Sequence, residues 1–433
     1  MNIKAQNFYN QAYDIYVYNY LSDKNKQNCR INFIIGACVV GVIALSLVIS
    51  KPIFAFNNSP QIKNDTGQKE IYLQKNFEEN IKNKYSGAYV AFPTDGIAHI
   101  KLVKYINSRP IKINVVELNT NVNPNLQIKP AMAGYALNSK STVRKIANQK
   151  GSIVAINGGF FKPQTGVPLG ALVIDGKILT GPIYNRVGIA IFEEDNKTYY
   201  KMDNIVFDIK AHTKNHTIKI DNINQPRMLA SNTLLYTSIW GKVSPTAPKG
   251  GYNVLVSGNI IKKISANPIE ISKDEYVISA PINLVKEFAK DKEIYLDIKL
   301  NKTLENAKHI LGAGPYLVKD SELYVDYKTQ KLEAISGKNP RSAIGYKDDG
   351  TLIIVSVDGR EQSSVGMTLF ELGKFMLKLG CTNAMNFDGG SSSALYVKGK
   401  IVNSAYNKEG VAVSNALVIN EVDSSLYQIS SID

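Results

Sequence analysis

Hydrophobic and polar positions divide the 433-residue chain into one unbroken apolar run near its start and a long succession of short alternating segments. The run at 31–50 holds twenty residues without a charge, between Arg30 and Lys51. A helix of that length spans a hydrocarbon core of roughly 30 Å. Since thirty polar residues precede the run and no small-residue cleavage site follows it, the pattern predicts an uncleaved transmembrane anchor over residues 31–54.

The charges that flank this run predict its orientation. Lys24, Lys26 and Arg30 precede it, whereas only Lys51 lies close on the other side. The positive-inside rule then gives a cytoplasmic tail over 1–30 and a single-pass location at the cell membrane, with the rest of the chain extracellular. Residues 55–90 are polar and predict a spacer with a helix at 70–84. Residues 91–433 are expected to form the functional domain.

From residue 91 onward the pattern changes to short strands with a few helices between them. The runs HIKLVKYI and IKINVVEL alternate with a period of two. A helix is predicted at 141–149, closed by Gly151, and a capping box predicts a second one that begins at Thr368 and includes Glu371. We therefore expect an α+β fold with a mixed β-sheet core and packed helices.

Composition and charge narrow the possible classes of protein. Hydrophobic residues make up 44% of the chain and charged residues 20%, as in folded globular proteins. Three cysteines, at 29, 38 and 381, are too few for a disulfide framework. The 51 Lys and Arg against 37 Asp and Glu leave a net charge of +14, which favours an anionic partner without identifying it.

Candidate chemistry is concentrated where apolar strands end. One strand ends in Asp358-Gly359-Arg360, and at the end of another the period of two places Asn386 and Asp388 on the same face. Glycines and a serine follow, and they can either admit a ligand or form a tight turn: Gly389, Gly390 and Ser391. Similar glycine-rich turns follow two other apolar runs and contain Asn157, Gly158, Gly159 and Gly314.

A second group of residues is suited to holding an anion. The loop with Gly366 leads into the helix capped by Thr368, whose first amides are free to bind phosphate. Arg341 and Arg360 can add parallel donors, although either could instead form a surface ion pair. Glu371 fits the capping box, so a structural role is favoured over a catalytic one.

Several familiar chemistries are disfavoured. The chain has no G-x-S-x-G elbow, Walker loop or dinucleotide fingerprint, and it has only four histidines. His212 and His216 lie in a strand-and-turn pattern, which does not bring both onto one helical face for metal binding. We predict neither a metal site nor a cofactor.

The segments NGGFF, GAGP, NPRSAIG, VDGR, GMTLFEL and NFDGGSSS follow one another in this order. Together they resemble the phosphodiester glycosidase family over residues 141–419, most strongly from 309 to 396. The chain departs from the family pattern at Ser342, where Thr is usual, at Ala313, where Gly is common, and at Ser391, where many members have a third Gly. Members of the family often have an Arg just before the segment that corresponds to GVAVSNALVI, whereas this chain has Glu409 and Gly410 there.

The resemblance implies hydrolysis of a sugar 1-phosphodiester at the anomeric carbon, on a cell-surface or exopolysaccharide glycan and without nucleic acid. This reaction needs a carboxylate on the sugar side that activates water or stabilises an oxocarbenium-like centre, and we assign that role to Asp388, with Asp358 as its rival. Arg341, with Arg360 and the amides near Gly366 and Thr368, would hold the phosphate. The side chains that would orient sugar hydroxyls or water are those of Asn157 and Asn386.

Two other functions remain open. A protein with the same fold that binds anionic glycans without turnover would fit the charge equally well. A metal-dependent phosphodiesterase that cuts at phosphorus is disfavoured because histidines are scarce and the carboxylates are not clustered.

Overall fold

Antiparallel strands make up most of the regular structure in the computed structural model, which describes residues 66–195, 197–288 and 291–422. Strands account for 43% and helices for 14%. The expected α+β class is therefore wrong, and the fold is mostly β. The physical reason is that nearly every apolar segment alternates and pairs with a neighbouring strand, so the few helices cover sheet faces without forming a layer of their own.

The first half of the described chain contains the strands β1 (Tyr89–Thr94), β2 (Ile97–Ile106), β3 (Arg109–Leu118), β4 (Leu126–Met132), β5 (Val154–Asn157), β6 (Leu172–Ile174), β7 (Lys177–Thr180), β8 (Val187–Glu194), β9 (Lys197–Asn204), β10 (Phe207–His212), β11 (Thr217–Ile220), β12 (Asn222–Ile223) and β13 (Leu234–Thr237). The second half contains β14 (Gly251–Ser257), β15 (Ile260–Ser265), β16 (Glu275–Pro281), β17 (Tyr295–Leu300), β18 (His309–Gly312), β19 (Tyr316–Lys319), β20 (Glu322–Leu323), β21 (Arg341–Tyr346), β22 (Leu352–Val357), β23 (Asn383–Asn386), β24 (Leu395–Val397), β25 (Lys400–Ile401) and β26 (Asn415–Glu421). The α-helices are α1 (Thr66–Lys84), α2 (Val143–Lys150), α3 (Ile282–Phe288) and α4 (Leu369–Lys378). Single 3-10 turns lie at Glu333–Ile335, Gly390–Ser392 and Tyr406–Lys408.

These strands form five sheets in the described ranges. The largest has eight strands in the order β1-β2-β3-β22-β21-β23-β19-β20. Two five-stranded sheets have the orders β25-β24-β5-β26-β4 and β7-β6-β18-β8-β9. The strands between residues 207 and 300 form a further five-stranded sheet, β12-β13-β16-β14-β15, and a three-stranded one, β11-β10-β17. These two sheets share their own apolar core, which includes Ile209, Val254 and Ile278.

Both faces of the eight-stranded sheet are buried. Ile354 of β22 faces a core shared with Ile156 of β5 and Ile189 of β8. Its neighbours Ile353 and Val355 face the other way, toward α1 and α4. Burial of one such side chain contributes about 1.5–3 kcal/mol, so the sheet is fixed from both sides. The strand ends that carry the candidate chemistry are thereby held in place.

The predicted cytoplasmic tail and anchor, residues 1–54, lie outside the described residues. Within the ranges that the structure describes, no helix is long and apolar enough to cross a membrane. The single-pass membrane location predicted from the sequence is therefore not borne out by the described residues, and the predicted spanning helix itself lies outside them. α1 contains the helix expected at 70–84. Ile81 of this helix and Tyr85, which follows its last residue, are buried against the eight-stranded sheet.

Candidate active site

Two strands from different sheets meet end to end at the centre of the candidate site. β5 ends at Asn157 and β23 ends at Asn386. The backbone N–H of Asp388 donates to the carbonyl of Gly158 at 3.0 Å. In return, Nδ2 of Asn157 donates to the carbonyl of Asp388 at 2.6 Å. The turns NGGFF and NFDGGSSS are therefore joined by a reciprocal pair of hydrogen bonds.

Asn157 is fully buried and uses both ends of its side-chain amide inside the protein. Its Oδ1 accepts from the hydroxyl of Ser342 at 2.7 Å and from the N–H of Ala394 at 3.2 Å. Ser342, where Thr is usual in the family, supplies the hydroxyl that this contact requires. These contacts make Asn157 the residue that positions the backbone of Asp388.

The two glycines of the NGGFF turn lie so close to neighbouring atoms that a side chain would not fit there. A Cβ on Gly158 would lie 2.1 Å from Oδ1 of Asn415, and one on Gly159 would lie 2.3 Å from the carbonyl oxygen of Gly312. Gly314 has φ +115° and donates its N–H to the carbonyl of Asn386 at 2.9 Å. The two glycine-rich turns predicted from the sequence therefore pack against the end of β23.

Asn386 is buried at the end of β23, and its Nδ2 donates to the carbonyls of Gly314 and Phe387. Its Oδ1 accepts no hydrogen bond from the described residues, although it is buried. An unsatisfied buried acceptor costs about 1–3 kcal/mol, and such atoms often mark functional sites. The strand ends at Asn386, so the alternation that was expected to carry Asp388 onto the same face does not extend to it.

The carboxylate of Asp388 lies just beyond the strand, and the residue is half-buried. It accepts the N–H of Gly389 at 2.9 Å and also interacts with the hydroxyl of Ser392. Burial raises the pKa of Asp388 to about 6, while Ser392, the Gly389 N–H and the charge of Arg186 act in the opposite direction. A carboxyl group with a pKa near 6 exchanges protons close to neutral pH, which suits acid–base or charge-stabilising work.

Arg186 is the residue of this site that the sequence reasoning missed. It precedes β8, is only 7% exposed, and stacks on the ring of Phe160 with 4.9 Å between guanidinium carbon and ring centroid. Nε donates to the carbonyl of Gln330 at 3.3 Å and Nη1 to that of Leu169 at 3.5 Å. Burial lowers the pKa of Arg186 to about 10, and the charge of Asp388 counteracts this. No motif marks this position, because its partners are distant in sequence.

Arg341 and Arg360 lie together on the other side of the glycine pair. Arg341 is 1% exposed, and its pKa is lowered to about 10 by burial and by the nearby charge of Arg360. Arg360 is exposed and donates twice to Oδ1 of Asn339, at 3.2 and 2.8 Å. A Cβ on Gly390 would lie 3.1 Å from Nη2 of Arg360, and one on Gly389 would lie 3.9 Å from Cδ of Arg341. The side chains of the two arginines therefore lie beside the backbone that follows Asp388.

The side chain of Arg341 is also a structural brace. Nε donates to the carbonyl of Met367 at 2.8 Å, and Nη2 donates to the carbonyls of Ile335 and Gly337. Nη1 donates to none of the described residues. The side chain of Arg341 therefore holds the turn at 335–337 in place.

The capping box at the start of α4 is confirmed. The hydroxyl of Thr368 accepts the N–H of Glu371 at 3.1 Å, and Oε2 of Glu371 accepts the N–H of Thr368 at 2.8 Å. Lys338 lies 3.4 Å from the same carboxylate. Gly366 has φ +80° and passes so close to Asn339 that a Cβ would meet its carbonyl oxygen at 2.5 Å. Two of the amides expected to bind phosphate are thus already used within the helix start.

The structure places Asp358 in a different environment from Asp388. It is buried, and its Oδ1 accepts the N–H of Ser404 at 2.9 Å. Burial raises its pKa, which the hydrogen bonds from Ser404 counteract. Asp358 lines a cavity of about 760 Å³ that also contains Tyr89 and Lys112, and Asp388 does not line it. Ser391 lies in the turn after Asp388, where its carbonyl accepts the N–H of Val411 at 3.5 Å.

No group of three or more His, Cys, Asp or Glu side chains within the described ranges is arranged to hold a metal ion.

Comparison with known proteins connects this arrangement to a family. Residues 243–420 match the family model described as phosphodiester glycosidase. The SPbeta prophage-derived uncharacterized protein YomE of Bacillus subtilis is 35% identical over 143 residues, which are 32% of this chain and 22% of that protein. The human N-acetylglucosamine-1-phosphodiester alpha-N-acetylglucosaminidase is 24% identical over 167 residues, which are 36% of this chain and 32% of the human one. The chain thus spans about a third or less of these relatives.

Two solved structures share the fold. A hypothetical protein from Synechocystis aligns with a TM-score of 0.69 and 22% identity, covering 77% of this chain and 63% of the other. A putative exported protein from Burkholderia pseudomallei aligns with a TM-score of 0.61 and 21% identity, covering 72% and 74%. The region that matches the family model, residues 243–420, includes Arg341, Arg360, Asn386 and Asp388. Residues 243–420 are therefore similar to the phosphodiester glycosidase family, as the order of the motifs predicts.

Proposed function

We propose that this protein is a glycosidase that hydrolyses a sugar 1-phosphodiester of a phosphorylated glycan at the anomeric carbon. One observation carries the proposal. Asp388, a carboxylate with a raised pKa, is followed by Gly389 and Gly390, and the side chains of Arg341 and Arg360 lie beside these two glycines. The substrate has the same layout, with an electrophilic carbon next to a phosphate anion.

The arginine side of the site suits the leaving group. Arg341 and Arg360 repel each other, and an anion between them relieves that repulsion. A phosphomonoester is the anion of a strong acid, so it needs little protonation as it leaves. The negative charge that develops on its oxygen is stabilised instead by fixed guanidinium donors.

The aspartate side suits the sugar. With a pKa of about 6, Asp388 is mostly ionised at pH 7 and can take a proton from water or stabilise an oxocarbenium-like centre. Cleavage breaks the bond between C1 and the bridging oxygen, whose electron pair stays with the phosphate. Water oxygen forms the new bond to C1, and its proton passes to Asp388 and then to solvent. The products are a free sugar and a phosphomonoester.

Hydrolysis in isotope-labelled water tests this proposal directly. The full-length protein is incubated with a panel of sugar 1-phosphodiesters, and both products are analysed by mass spectrometry. We expect the solvent oxygen in the sugar and none in the phosphate. Label in the phosphate would show cleavage at phosphorus and contradict the proposal. Binding of the same substrates without any product would indicate a glycan-binding protein instead.

A further inference from the structure

A second cavity, of about 730 Å³, lies beside the loop that follows the NGGFF turn. Trp240 and Tyr236 line it, together with Arg227 and the loop residues Lys162 and Gln164. Trp240 is the single tryptophan of the chain. The mechanism above uses none of these residues, so the cavity calls for a separate explanation.

The chemistry of the lining matches a sugar chain with negative charge. The indole of Trp240 packs on Tyr236 with ring centroids 4.9 Å apart, which holds it in one orientation at the cavity. A held aromatic ring offers an apolar face to the C–H face of a sugar. Gln164 and Asn138 provide planar amide groups for hydroxyls. The residues that line the cavity, all in the described part of the chain, include two cations and no carboxylate.

The cavity is joined to the catalytic site by one loop. At the base of this loop, Phe160 stacks on Arg186, the arginine whose charge acts on Asp388. The loop is closed by hydrogen bonds from Lys162 N–H to the Val167 carbonyl at 2.9 Å and from Leu169 N–H to the Phe160 carbonyl at 2.7 Å. Five residues span at most about 17 Å, so its tip lies within that distance of Phe160. A chain longer than one sugar can reach both places.

We propose that this cavity binds further sugar residues of an anionic glycan whose 1-phosphodiester lies at Asp388. The inference rests on the proposed function for the identity of the glycan. It adds that the natural substrate is a polymer, because none of the residues assigned to the reacting bond lines the Trp240 cavity, so that filling both places takes more than one sugar residue. Specificity for the polymer then resides in Trp240 and Lys162, outside the groups that perform the reaction.

The single tryptophan allows binding to be measured without turnover. Asp388→Asn in the full-length protein is titrated with a polysaccharide whose repeating units are joined through N-acetylglucosamine 1-phosphodiesters. We expect a saturable change in tryptophan fluorescence, weakened several-fold by Lys162→Ala. Lys263→Ala, an exposed lysine on β15, serves as the matched control and should not change the titration. No fluorescence change, or an equal one with neutral dextran, overturns the proposal.

Kinetics provide the second measurement. Trp240→Ala should raise the KM for the polymer by about tenfold, the effect of removing one buried aromatic contact. It should leave kcat/KM for N-acetylglucosamine 1-(methyl phosphate) unchanged, and Trp240→Phe should restore most of the lost affinity. Equal losses on both substrates overturn the proposal. A fluorescence response without hydrolysis by the wild-type protein would refute the proposed function and leave the binding cavity in place.

Discussion

Asp388 and Glu371 are two carboxylates with different charged neighbours, Arg186 for Asp388 and Arg341 for Glu371. Within the part of the chain that the structure describes, the carboxylate of Asp388 is hydrogen-bonded by one backbone N–H and one hydroxyl, whereas the N–H and the hydroxyl of Thr368 both donate to Glu371. Asp388→Asn should therefore lower turnover by about 10²-fold or more, while Glu371→Gln keeps most of it. Turnover and thermal midpoint of both variants are the measurements. Loss of activity in a folded Glu371→Gln protein, with an active Asp388→Asn, would place the catalytic carboxylate at the helix start.

The proton of Asp388 gives a second prediction. Its pKa is about 6 in the folded protein and about 4 in an unfolded chain, so the folded state keeps the proton longer as pH rises. The resulting contribution to stability is present below pH 4 and is lost as pH rises through about 6. The thermal midpoint of Asp388→Asn relative to wild type should therefore rise between pH 4 and pH 7. A constant or falling difference would contradict the raised pKa.

Arg186 gives a prediction for the pH profile. If Asp388 acts as a carboxylate, kcat falls as pH drops through its pKa, near 6. Arg186→Met removes the positive charge that favours the ionised form, so this acid limb should move to higher pH. Arg186→Lys should keep it near the wild-type position. Arg144→Met, at an exposed ion pair with Glu409, is the control and should leave the profile unchanged. An unshifted profile in Arg186→Met would assign Arg186 a structural role only.

Arg341 acts at the scale of elements, because it joins β21 to the turn at 335–337 and to the residue before the cap of α4. Arg341→Lys loses the planar fork that makes these contacts. We expect both a lower thermal midpoint and a much larger loss of phosphodiester turnover than in Arg144→Lys. Equal losses of turnover in the two variants would show that Arg341 does not take part in phosphate binding.

Local patterns predicted individual elements well. The helix expected at 141–149 is α2, capped by the Thr142 hydroxyl and ended by Gly151 with φ +64°, and the capping box of α4 is present. The proportion of strand to helix, and with it the fold class, was not predictable in this way. Runs with a period of two do not show how many strands form or how they pair into sheets. The same limit applies to the site. Asp388 and the glycines after it form a motif that can be recognised in the sequence. The positions of Arg186 and Trp240 depend on tertiary packing, so no local pattern marks them.

At the scale of the whole molecule, one buried carboxylate attaches α1 to the eight-stranded sheet. Glu117 of β3 is 2% exposed and accepts hydrogen bonds from Lys84 at the end of α1, from Tyr85 and, at 2.9 Å, from Lys347. Glu117→Gln leaves two lysines without their carboxylate, which costs about 3–5 kcal/mol for a buried pair. We expect a large fall in the free energy of unfolding and faster proteolysis within α1.

The control for this variant is Glu78→Gln, which breaks the exposed pair of Glu78 with Lys82 within α1. Such a pair contributes about 0.3–0.5 kcal/mol, so the change in stability should be small. Equal effects of the two substitutions would mean that Glu117 does not fix the helix to the sheet.

The hydrogen bond between Asn157 and Asp388 joins residues 231 positions apart. Contacts of such separation close only after the intervening chain has been ordered, because loop closure carries an entropic cost. During synthesis, a nascent chain that has not yet reached residue 388 holds only one half of the candidate site. We therefore expect the site to be completed late in folding, so that the proposed activity would report complete assembly.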